Sequence, residues 1–140
     1  MKDTELKRLR DRDLYKAFVA GLRDNTFGST AEAADFARRQ TAPQYYISAR
    51  TASLLIGRIE SRISLIDLNS NSRRRIWHIY SLYTEYLSRH PGCTTPRELI
   101  LEEIVESPAP EFFVSLDRAK HIILYERKEA RRQQCLKSRQ

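Results

Sequence analysis

Arginine is the residue type with the most chemistry to offer in this sequence. Arg38-Arg39, Arg73-Arg74-Arg75, Arg127-Lys128 and Arg131-Arg132 stand in clusters, with Arg50 and Arg58 between the first two. Basic side chains gathered on one face, with no acid opposite, attract polyanions. Each phosphate they neutralise releases condensed counterions, so affinity falls steeply with salt. The competing reading is a solvated face that binds nothing, and the placement of the side chains decides between the two. At 100° per residue, Lys120, Arg127 and Arg131 fall in one line with Lys128 and Arg132 alongside, away from the apolar Ala119, Ile122 and Ile123. Arg50 and Arg58 likewise lie opposite Ala52, Ile56 and Ile63.

The chain carries 25 basic and 18 acidic side chains, a formal charge of +7. Residues 1–70 are net +3 and residues 71–140 net +4. Within the second half, 127–140 hold an excess of five positive charges, whereas Glu98, Glu102, Glu103, Glu106, Glu111 and Asp117 crowd the stretch before it. The acidic helix expected over 98–106 could dock a basic protein partner.

Other chemistry finds no constellation. The four glycines, at 21, 28, 57 and 92, stand singly and form no phosphate loop. His78, His90 and His121 are scattered, and neither Cys93 nor Cys135 has a partner at metal-ligand spacing. Adjacent Glu102 and Glu103 project about 100° apart on a helix, unsuited to sharing a proton. No catalytic residue, metal or cofactor is expected. Two free thiols, no apolar run of the ~18 residues a membrane span needs, and a charged start without a signal core point to a cytoplasmic protein.

The elements that must hold these arginines are written twice. Ala42-Pro43-Gln44-Tyr45-Tyr46-Ile47-Ser48 returns as Ala109-Pro110-Glu111-Phe112-Phe113-Val114-Ser115, at an offset of 67. Proline bars helix from the residue before it, the aromatic pairs favour extended backbone, and each serine suits a helix N-cap. Extended backbone would point the two rings to opposite sides, leaving the second partly exposed. Apolar stripes at three- and four-residue spacing predict helices at Leu14, Phe18 and Leu22, at Ala33, Phe36 and Ala37, and from Ser48 to about Ile66. A polar break at 67–72 precedes a fourth helix through Ile76, Ile79, Tyr80, Tyr83 and Leu87. A fifth holds Leu99, Ile100, Ile104 and Val105, and a sixth runs from Ser115 to about Gln134. Thr30 and Thr95 read as caps of the second and fifth. The expected fold is all-α, six helices as two duplicated three-helix units, 1–68 and 72–140, packed into one compact domain.

A helix of small residues from Ala31 to Arg39, a connector, and a capped helix opening on Ala49, Arg50, Thr51 and Ser53 resembles a helix-turn-helix DNA-binding unit. The resemblance covers residues 14–62 and, more weakly, 79–127. It implies that the first turn of the third helix meets base edges through Arg50, Thr51 and Ser53. Arg38, Arg39, Arg58, Arg73, Arg74 and Arg75 would then hold phosphates, and the tail from Arg127 would follow the backbone. The expectation is a small DNA-binding regulator or accessory factor, with DNA favoured over RNA; a helical protein-interaction module is the alternative.

Overall fold

The structure, a computed structural model, describes residues 2–139. It contains α1 (Asp3–Asp24), α2 (Thr30–Arg38), α3 (Ala49–Glu60), α4 (Ser70–Arg89), α5 (Arg97–Val105) and α6 (Leu116–Ser138), with no strand among the described residues. The all-α expectation and the helix count hold. None of these helices is long and apolar enough to cross a membrane.

Contacts gather the helices differently from the expected halves. One unit takes residues 1–6 and 43–109, and so α3, α4 and α5; the other takes 7–42 and 110–140, and so most of α1 with α2 and α6. The third helix of each half thus joins two helices of the other half. The ten residues of each connector, 39–48 and 106–115, permit this. Extended, they could span about 30 Å.

In the first unit α3 lies against α4 and α5, and α4 against α5. Ala52, Ile56, Ile76, Ile79, Ile100 and Leu101 are buried there. Each large aliphatic contributes about 1.5–3 kcal/mol by leaving water. Arg97 ties α5 to α3, its Nε donating to Ser53 Oγ at 3.0 Å and its Nη1 to Glu60 Oε1 at 2.7 Å. The Tyr45 amide donates to the Val105 carbonyl at 3.0 Å, engaging an acceptor that the end of α5 leaves over. Tyr45 also shares a 2.7 Å hydrogen bond with His78 Nδ1, and burial pushes its phenol pKa up.

In the second unit α2 lies against α6. Ala33, Ala34, Ala37 and Ala119 are all buried, so small side chains meet where these helices are closest. The Phe112 amide donates to the Arg38 carbonyl at 3.1 Å, the counterpart of the Tyr45–Val105 bond 67 positions earlier. Gly21 on α1 leaves room for Phe36 of α2, whose Cδ1 would stand 3.1 Å from an added Cβ. That close approach, rather than Leu22, forms the end of the α1 stripe, and Leu22 is half exposed.

The connectors correct one expectation. Tyr46 and Phe113 are not extended but left-handed, at φ 57° and 55°. That geometry costs an L-residue roughly 1–2 kcal/mol. It also turns the second ring inward, so that all four aromatics are buried. The two connectors thus share this turn at positions 67 residues apart.

Several helix ends move as well. Ser29 caps α2 by accepting from the Glu32 amide, while the Glu32 carboxylate accepts at 2.8 Å from the amide of Gly28, one residue ahead of the cap. Asn69 caps α4, and Pro96 stands at the α5 cap without a side-chain bond. The α3 helix stops at Glu60 because Arg62 turns left-handed at φ 60°, and this leaves Ile63 exposed instead of buried.

Candidate nucleic-acid interface

Of the candidates on α3, only Arg50 remains exposed without a side-chain partner among the described residues. The Ser48 hydroxyl accepts from the Thr51 amide, as a cap should. Thr51 Oγ1, however, donates to Asp3 Oδ2 at 2.7 Å, and the Ser48 amide donates to Asp3 Oδ1 at 2.9 Å. Burial would raise the Asp3 pKa, but these donors and the nearby Arg75 guanidinium overcome it and hold the carboxyl below its usual range. Ser53 Oγ is engaged by Arg97. Arg58 pairs with Asp67 at 2.6 Å and donates to the Ser64 carbonyl. The hydroxyls expected at base edges are therefore spent inside the fold, Thr51 on Asp3 at the start of α3 and Ser53 on Arg97 of α5.

The two arginine clusters divide in the same way. Arg38 binds Asp35 at 2.6 Å and reaches the Val114 carbonyl at 3.4 Å, with only 19% of its side chain exposed. Arg39 shares Asp35 but is largely solvated. Arg73 donates to the Leu68 carbonyl. Arg75 lies 3.4 Å from the Tyr45 and Tyr46 carbonyls, where it supports the left-handed turn. Arg74 is exposed, with one nitrogen on Asn71. Most of these guanidiniums brace the fold.

The α6 stripe is the exception. Ala119, Ile122 and Ile123 face the interior and the cations face out. Lys128 and Arg131 are exposed and have no ion pair or hydrogen-bond partner among the described residues; Arg132 is exposed, 3.8 Å from Glu129. Lys120 stands 3.9 Å from Asp117, a loose surface pair. Arg127 turns sideways, its guanidinium 5.4 Å from the centre of the Phe18 ring. From that position it anchors α6 to α1 by a cation–π contact.

Sequence reading overlooked the partner stripe on α1. Arg8, Arg12 and Lys16 recur every four residues and are exposed. The interleaved Asp11 and Asp13 hid them, yet Asp11 is taken by Arg10 at 3.0 Å. Spacing alone could have found this stripe. Arg8, Arg12 and Tyr15 form one wall of a groove of about 610 Å³, and Tyr125, Glu126 and Glu129 of α6 form the other. Burial, then Asp11, pushes the Glu126 pKa up against the opposing pull of Arg12.

Counting charge by unit changes the picture more than any single residue does. The α3–α4–α5 unit holds nine basic and nine acidic side chains. The α1–α2–α6 unit holds sixteen basic and nine acidic, so the whole +7 belongs to it. Halves of the chain taken in sequence order each carried part of that excess and concealed the segregation. Among the described residues no cluster of three or more His, Cys, Asp or Glu side chains is placed to hold a metal. No family model, curated protein or solved structure matches this chain.

Proposed function

We propose that this chain is a non-enzymatic, double-stranded-DNA-binding protein, an accessory factor or small regulator, that contacts phosphates through its α1–α2–α6 unit and reads few bases. The observation that carries the reading is the confinement of the entire +7 excess to that unit. Lys128, Arg131 and Arg132 supply outward cations on α6, and Arg8, Arg12 and Lys16 supply them on α1. Phosphate contacts of this kind position a protein on a duplex without specifying sequence. The engagement of Thr51 and Ser53 inside the fold argues for sequence tolerance, because it removes two of the three base-edge candidates.

Fluorescence anisotropy with two labelled duplexes of unrelated sequence tests this. Affinities within a few-fold of each other are expected, both falling linearly in log–log form with salt. Failure to bind either duplex at low salt, or a preference above about 10³-fold, the specific range, would overturn it.

A second reading has its own observation. Helix α5 exposes Glu98, Glu102 and Glu103 around a half-exposed Leu99, a surface suited to a basic protein partner. Binding there would survive loss of the α6 cations.

A further inference from the structure

We infer that the face formed by the α3–α4 loop and Trp77 docks an amphipathic helix of a partner protein whose apolar stripe is flanked by carboxylates. Ile59, Ile63, Leu65, Ile66 and Trp77 line a concavity of about 510 Å³, completed by Arg62 and Arg73. Ile66 is 82% exposed, Ile63 55% and Trp77 52%. Large apolar side chains displayed together on one patch mark an interaction surface more often than scattered ones do.

This patch is held in shape. Arg58 clamps the loop at the surface by binding Asp67 and the Ser64 carbonyl. The Ile63 amide donates to the Arg58 carbonyl at 2.8 Å, and the Leu68 amide to the Leu65 carbonyl at 3.0 Å. Anchors fixed before binding lose little conformational freedom when a partner arrives. An amphipathic helix meets such a patch with apolar anchors at i, i+3, i+4 and i+7.

Charge selects the occupant. The lining holds two guanidiniums and no carboxylate. Arg62 is exposed and its side chain has no partner among the described residues, while Arg73 is steadied by the Leu68 carbonyl. A helix carrying glutamate or aspartate beside its apolar stripe complements that rim, and a lysine-rich one is repelled. A nucleic-acid strand fits less well. Four aliphatic side chains offer no stacking face, and the single indole already meets Tyr80 edge-on at 5.9 Å.

Trp77 is the only tryptophan, so its emission reports on this patch alone. The full chain is titrated with a synthetic helical peptide carrying leucines at the anchor spacing and glutamates elsewhere. An isomer with lysines in place of glutamates, a scrambled glutamate peptide and an oligouridine strand are run beside it. Expected is a saturable blue shift with the glutamate helix, at least about tenfold weaker with the lysine isomer. Ile66→Glu, at a site too exposed to disturb the fold, abolishes the shift, with unchanged circular dichroism as control. Arg62→Glu turns the preference toward the lysine peptide. No saturable shift with the glutamate helix, an equal response to the lysine or scrambled peptide, or a stronger response to oligouridine overturns the inference.

Discussion

Replacing Lys128, Arg131 and Arg132 together by alanine is expected to weaken duplex binding on the order of 10–100-fold at moderate salt and to flatten the slope of log K against log salt by about 3. The three residues are exposed, so the change removes charge without removing packing. Alanine is the strongest helix former, which keeps α6 intact. A matching loss of three charges from the other unit, Arg50, Arg62 and Arg89 to alanine, leaves affinity within about twofold, because the proposed phosphate contacts are made by α6 and α1. Anisotropy at several salt concentrations measures both variants. Equal weakening of the two would mean that bulk charge, not the α6 stripe, governs binding.

The fragments 1–68 and 72–140, prepared separately, are expected to show little helix and no cooperative unfolding; mixed in equal amounts, they regain both. The reason lies in how the units are composed. Fragment 1–68 contains α2 without α6 and α3 without α5, and the other fragment has the reciprocal lack. The α2 and α5 helices are nine residues each, below the roughly 12–15 at which isolated helices become marginal in water. Buried Ile56 of α3 and Ile123 of α6 would face solvent in the separate halves. Thermal circular dichroism on each fragment and on the mixture decides the point. A sharp melt from either fragment alone would contradict the exchanged packing and restore the halves read from the sequence.

The contrast between those two groupings shows where sequence reading succeeds. Helix positions follow from local periodicity, so Ile76, Ile79 and Tyr83 on α4 and Ala119, Ile122 and Ile123 on α6 were legible as buried faces. The serine caps at 48 and 115 were legible because a hydroxyl reaches an amide three residues on. Which helix meets which was not, since the pairing of α2 with α6 and of α3 with α5 depends on contacts between residues far apart in the chain. The turn at Tyr46 and Phe113 runs against aromatic preference for extended backbone, and tertiary burial of the rings overrides it.

The arginines divide along the same line. Those with a carboxylate three or four residues away, such as Arg38 with Asp35, could be paired on paper. Arg97 with Glu60 and Arg58 with Asp67 could not, and so Arg58, together with Ser53 through its bond with Arg97, was lost to structural contacts. The outward α6 stripe survived because its neighbours in sequence are also its neighbours on the helix. The α1 stripe was equally local and was missed only because aspartates separate its members.

The most direct test of the central claim is a map of backbone amide resonances as a short duplex is titrated into the 140-residue chain. The account predicts that shifts and broadening concentrate on α6 around Lys128, Arg131 and Arg132 and on α1 around Arg8, Arg12 and Lys16, with α3, α4 and α5 undisturbed. Perturbations centred instead on Arg50, Thr51 and Ser53, or an unchanged spectrum under low-salt conditions, would contradict it.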